Sequence, residues 1–265
     1  MELLFKYYAL SKYSKKNFKD DVVLFNNILG FNDPFEGIGR FLYDVSPEEQ
    51  EYWNNIGSDL PKGIAKRIAT DSRESLIFAN RILCVTEKYD HPLMWAHYAQ
   101  SHTGFCIGYS KDDIKEISNR FDKVTYQSHP HNVNMESIDK DEIESLLYFK
   151  SDAWLYEEEW RAVYTLSNED VRHLDYNNNF DKCFQPYENS CKFYMARGYA
   201  QMNNLEVLES EKYILKSCKP QVVYLGLRMK QEEKQDIIAI GKEKNLKIFQ
   251  MTQSPNSYEM SAYEI

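Results

Sequence analysis

Trp154-Leu155-Tyr156-Glu157-Glu158-Glu159-Trp160-Arg161 places three carboxylates among two tryptophans, a tyrosine and an arginine. It runs directly into Ala162-Val163-Tyr164-Thr165, which reads as a strand. Side chains on a strand alternate faces, so Glu157, Glu159 and Arg161 are expected on one face and Glu158, Trp160 and Ala162 on the other. Two carboxylates about 7 Å apart on one face repel unless a cation or a ligand compensates. Burial against the neighbouring aromatics raises a carboxyl pKa further. Carboxylates perturbed in this way mark functional sites, which makes Glu157, Glu159 and Arg161 the candidate catalytic group. The plain alternative is an edge strand blunted by charge, with Arg161 pairing a glutamate.

Outward from that stretch, the chain alternates strands and helices irregularly. Strands are expected at Leu3 to Tyr8, Val22 to Leu29, Ile82 to Thr86, Phe105 to Tyr109, Phe121 to Tyr126, Gln221 to Leu227 and Leu246 to Met251. Helices are expected at Ser11 to Lys19, from Ser46 to about Phe78, from Pro92 to about His102, at Asp141 to Lys150 and at Lys230 to Asn245. Trp95, Tyr98, Ala99 and His102 fall on one face of the third helix. Asn32-Asp33-Pro34 is a turn former, and Ser128 to Met135 reads as a loop. The pattern predicts one α+β domain over 1–265, with a mixed, mostly antiparallel sheet flanked by helices. A polar, Asn-rich excursion occupies about 168–202.

Composition narrows the function classes. Hydrophobic residues make up 43% of 265 and aromatic residues 14%, as in a globular chain with a sizeable core. A net charge of −9 argues against loose, charge-driven nucleic-acid binding. The cysteines Cys84, Cys106, Cys183, Cys191 and Cys218 are odd in number and form no Cys-x-x-Cys, which points to free thiols in a reducing cytoplasm. No apolar run is long enough to span a membrane, so none is expected as a partner.

Phosphate loops, dinucleotide-binding glycine motifs, nucleophile elbows and His-Glu-x-x-His are all absent. His129-x-His131 has metal-binding spacing but nothing to complete a ligand set, so no metal site is expected. Asp33 and Glu36 set against Glu157 and Glu159, with Lys150 or Lys6 as the lysine, make a Mg²⁺-dependent nuclease the enzymatic alternative.

Three segments together carry a resemblance. They are Phe31-Asn32-Asp33-Pro34-Phe35-Glu36; Leu93 to Ala99 with Ser101 to Gly108; and Trp154 to Arg161. In this order and spacing the chain resembles a bacterial family catalogued as domain of unknown function 2971. Leu4-Phe5-Lys6-Tyr7-Tyr8 and Val223-Tyr224-Leu225-Gly226 also look like that family's pattern. Its members look like accessory or anti-phage genes.

The layout is more distantly similar to the ADP-ribosyltransferase fold, in which a late glutamate, often within Glu-x-Glu, opens a strand. That similarity implies an enzyme or toxin that uses NAD as substrate. Glu159 would be the main carboxylate, Glu157 would position the acceptor, and Lys6, Tyr8, Asn32, Asp33, Trp95 and Tyr98 would line the NAD pocket. It implies a macromolecular acceptor, protein or nucleic acid, and a possible antitoxin or homo-oligomer. Cleavage of the nicotinamide–ribose bond develops an oxocarbenium-like cation, which a fixed carboxylate stabilises. A non-catalytic sensor or defence module remains the alternative outside enzymes.

Overall fold

A computed structural model describes residues 1–42, 46–57, 76, 79–134, 139–167 and 213–265. In chain order its strands are β1 (Leu3–Tyr8), β2 (Val22–Phe25), β3 (Gly39–Leu42), β4 (Asn80–Thr86), β5 (Phe105–Ser110), β6 (Arg120–Lys123), β7 (Thr125–Gln127) and β8 (His131–Asn134). They continue with β9 (Phe149–Ser151), β10 (Glu159–Thr165), β11 (Ile214–Ser217), β12 (Pro220–Leu225), β13 (Lys247–Gln253) and β14 (Met260–Glu264). The helices are α1 (Lys12–Lys19), α2 (Pro47–Asn55), α3 (Pro92–Tyr98), α4 (Lys111–Glu116), α5 (Lys140–Ser145) and α6 (Gln231–Glu243). The rest of the expected helix from Ser46 and the excursion at about 168–202 lie outside the described residues, as do Cys183 and Cys191.

Eight strands form one sheet in the order β14-β13-β12-β5-β1-β4-β10-β6. Within this sheet only β12 and β13 run parallel, joined by α6, so the fold is α+β with a mixed, mostly antiparallel sheet. Its most enclosed strand is β5, Phe-Cys-Ile-Gly-Tyr-Ser, buried at every position, as a strand covered on both faces must be. One face carries a continuous core that includes Leu4, Leu83, Val85, Phe105, Ile107 and Val223. Phe18 of α1, Ile114 of α4 and Ile237 of α6 close over it. Ser11 fixes the start of α1 with a capping box to Ser14.

The opposite face is divided. Phe5, Tyr7, Trp95, Tyr224 and Met251 form one cluster on β1, β12 and β13. Ile82, Val163, Leu146 and Leu147 form another on β4 and β10. Between them the sheet opens. β1 and β4 register only at Phe5 opposite Thr86. By contrast β1 follows β5 along its whole length, and β4 follows β10 from Thr86–Glu159 to Asn80–Thr165. Lys6 bridges the opening by donating from Nζ to the Cys84 carbonyl at 3.3 Å, a group the parted ladder does not use.

Several local expectations are corrected. α3 ends at Tyr98, and Gln100, Ser101 and His102 then take left-handed φ of 50°, 54° and 70°, so His102 leaves the helix face. The stretch expected as a loop at 128–135 contains β8, and Lys150 lies on β9 rather than at a helix end. Gly104 and Gly226 lock this corner together: a Cβ on Gly104 would stand 2.0 Å from the Tyr8 carbonyl oxygen.

Candidate functional site

The opening between β1 and β4 is a cavity of about 260 Å³. Phe5, Phe31, Met94 and Tyr98 give it apolar and aromatic walls, while Glu36, Lys150, Glu157 and Glu159 line its charged end. Lys6, Asn32 and Asp33 also line it.

The charged end is built around Arg161, which is fully buried. Its Nη1 and Nη2 donate to the two Glu36 oxygens at 2.7 Å each, and its Nε donates to Glu159 Oε1 at 2.8 Å. Nη1 also donates to the Leu147 carbonyl, and Nη2 to Glu159 Oε2 at 3.2 Å. Arginine's planar fork suits this double clamp in a way lysine cannot match. Lys150 Nζ donates to Glu157 Oε2 at 2.6 Å and to Glu159 Oε2 at 2.9 Å, and stands 3.6 Å from Glu36 Oε1. Tyr98 donates its hydroxyl proton to Glu157 Oε1 at 2.5 Å, and Asn32 bonds to Tyr98 in turn.

Backbone geometry makes the sharing of Lys150 possible. β10 begins at Glu159, and Glu157 closes a 3-10 turn over Asp152–Glu157, so the expected continuous strand face is not formed. Glu158 joins them with φ 43° and ψ 50°, left-handed and uncommon for a residue with a Cβ. That one residue swings both neighbours onto the same ammonium. The Glu159 N–H donates to the Tyr126 hydroxyl at 2.9 Å, which fixes the start of the strand.

The two carboxylates are driven apart electrostatically. Burial pushes the Glu157 carboxyl up; Lys150 opposes the rise and Glu159 adds to it. Lys150 cannot compensate fully, because it also serves Glu159 and Glu36. Burial would push Glu159 up as well, but Arg161 and Lys150 more than reverse it and leave the carboxyl well below its usual range. Burial lowers Lys6, against the smaller opposing effects of Cys84 and Glu159. Burial, followed by the Glu157 charge, raises Tyr98.

Of the residues singled out in the sequence, Glu157, Glu159, Lys6, Asn32, Asp33 and Tyr98 meet at this cavity, and Arg161 stands behind it. Tyr8 and Trp95 are placed elsewhere. Tyr8 stacks on Phe105 and meets the Tyr109 hydroxyl at 2.9 Å on the other side of the sheet. Trp95 is fully buried, packs edge-on against Tyr7 and donates to the Tyr89 carbonyl. Asp33 accepts from the Phe35 N–H at 2.9 Å and so shapes the turn that delivers Glu36. Lys150 and Glu36 are central to the ion-pair network, a role that their place in the sequence does not mark.

Among the described residues no group of three His, Cys, Asp or Glu is arranged to hold a metal ion, and Cys84, Cys106 and Cys218 are free thiols. No described helix is long and apolar enough to cross a membrane. No curated protein and no solved structure matches the chain. Residues 94–162, which carry Tyr98, Lys150, Glu157, Glu159 and Arg161, match the sequence model of the family described as Protein of unknown function (DUF2971).

Proposed function

We propose that the protein binds NAD in the cleft between β1 and β4 and cleaves its nicotinamide–ribose bond, passing ADP-ribose to an acceptor or to water. The observation that carries this reading is a charge imbalance facing an aromatic cavity. Four carboxylates, Asp33, Glu36, Glu157 and Glu159, stand with three cations, Lys6, Lys150 and Arg161, so one carboxylate charge is left over. A buried excess of negative charge favours a cationic guest. A positively charged pyridinium ring suits Phe5, Phe31 and Tyr98 as walls and the acidic end as counter-charge.

The roles follow from the electrostatics. Glu159, kept ionised by Arg161 and Lys150, faces the cation that develops at the sugar and stabilises it. Glu157 has the raised pKa and the Tyr98 hydroxyl, so it suits hydrogen bonding to a ribose hydroxyl and receiving the proton of an incoming acceptor. Tyr98 and Asn32 hold Glu157 in place.

The Mg²⁺-dependent nuclease fits less well. Glu36, Glu157 and Glu159 are already neutralised in large part by two side-chain cations, which a dication would have to expel. A role in bacterial anti-phage defence, as a toxin with an acceptor and an antitoxin, accords with the family resemblance and requires this activity. Incubating the protein with NAD and assaying nicotinamide release tests the reading. Nuclease activity that needs Mg²⁺ and leaves NAD intact overturns it.

A further inference from the structure

The eight-stranded sheet ends on one side in β6 and on the other in β14. The two edges are unlike. β6 reads Arg-Phe-Asp-Lys, three charges in four residues, and such charge discourages the addition of a further strand. β14 reads Met-Ser-Ala-Tyr-Glu, with no lysine and no proline, and its one charge is at the end. Its register with β13 runs without a shift from Met260 to Glu264. It therefore lacks the charges, proline and bulge that usually blunt an edge. Ser261, Tyr263 and Glu264 are exposed.

Two hydrogen bonds flanking β14 fix which of its backbone groups are free. The Ile265 N–H donates to the Ile248 carbonyl, and the Glu259 carbonyl accepts from the Ser254 N–H. Both bonds continue the β13–β14 register, in which bonded and non-bonded positions alternate. Ser261 and Tyr263 therefore bond to β13. Met260, Ala262 and Glu264 turn their N–H and C=O groups outward, where none of the described residues pairs with them.

That outward row is self-complementary. A two-fold axis at Ala262 sets Ala262 opposite its own copy, Met260 opposite Glu264 and Ser261 opposite Tyr263, and each outward donor then meets an acceptor. No charge stands opposite a like charge. The small Ala262 side chain lets the two backbones close to about 5.5 Å between Cα atoms. Tyr263, 54% exposed, gains the partner strand to lie against. On the other face Met251, Met260 and Ala262 carry the apolar cluster of β12 and β13 up to the axis.

We propose that β14 pairs with β14 of a second copy of this chain, antiparallel and centred on Ala262, so that the sheet continues from one copy into the next. One strand pair is a small contact, so the dimer is expected to dissociate in about the micromolar range. The pairing is independent of the chemistry proposed for the cleft.

The test is sedimentation velocity of the full chain over a concentration series, with amide hydrogen exchange on the same samples. The wild type is expected to pass from monomer to dimer. As it does so, the Met260, Ala262 and Glu264 amides should slow by about tenfold or more, while those of Ser261 and Tyr263, bonded to β13, are slow throughout. Ala262→Glu and Ala262→Lys each set like charges against one another at the axis, and each should weaken the dimer by about fivefold or more. An equimolar mixture of the two should restore it, a recovery that variants with a lost fold cannot show. Glu157→Gln, in the cleft, should leave association unchanged. A wild type still monomeric at about 1 mM would overturn the proposal. So would association that leaves the Met260, Ala262 and Glu264 amides unprotected, or a mixture no tighter than either variant alone.

Discussion

Glu157 and Glu159 share one ammonium: Lys150 Nζ lies 2.6 Å from Glu157 Oε2 and 2.9 Å from Glu159 Oε2. Their other oxygens diverge, Glu157 Oε1 to the Tyr98 hydroxyl and Glu159 Oε1 to Arg161. Both carboxylates line the cleft, but Glu159 is tied back to the buried guanidinium and Glu157 to a phenol. The expected consequences differ for the two.

The pH behaviour should separate them. Glu159, held below its ordinary range, contributes stability that is complete above that range and is lost only as the pH falls through the lowered folded value. Glu157, raised by burial, has the opposite sign. It costs stability at neutral pH, and the cost is relieved as the pH falls through the raised value. Side-chain carboxyl NMR should therefore show Glu157 titrating above the ordinary carboxylate range and Glu159 below it. In Glu157→Gln the gain in stability between neutral pH and that range should disappear from urea midpoints.

Arg161 should be the most stability-sensitive residue of the site. Removing it leaves Glu36 and Glu159 buried without their principal partner, a loss of about 3–5 kcal/mol for Arg161→Met. Arg161→Lys should also be costly, because one ammonium cannot reproduce the double fork. Urea denaturation measures both. A loss below 1 kcal/mol (about the worth of an exposed pair) would show the clamp to be dispensable.

Glu158 should report on the turn. With φ at 43°, Glu158→Gly relieves a left-handed Cβ and should leave stability unchanged or raise it by about 0.5–1 kcal/mol. Its pair with Lys88, at 3.4 Å between half-exposed side chains, contributes little. Glu158→Val should destabilise by about 1–3 kcal/mol and move Glu157 off Lys150. The Glu157 titration then reads the displacement.

Much of this architecture is legible in the residues, and the gaps have physical reasons. Leu3 to Tyr8 reads as a strand and is one, and the acidic aromatic stretch, Asn32-Asp33 and Tyr98 do meet. Lys150 reads as a helix end because Leu146-Leu147-Tyr148-Phe149 is a short apolar run, which periodicity cannot assign to helix or strand. β8 carries no strand signal, because His131-Asn-Val-Asn134 has one apolar residue and is recognisable only through its partner β3. The left-handed Glu158 leaves no mark in composition, since glycine is the usual signal for that conformation. Tyr8 and Trp95 illustrate a general limit: an aromatic that packs a core and one that lines a pocket look the same in sequence.

The central claim rests on nicotinamide release from NAD by the wild type, Glu159→Gln and Glu157→Gln, each first shown to be folded by denaturation. The account predicts release by the wild type and a loss on the order of 10²–10³ in Glu159→Gln. It also predicts that Glu157→Gln impairs transfer to an acceptor more than hydrolysis by water. A folded wild type that neither binds nor cleaves NAD would contradict it.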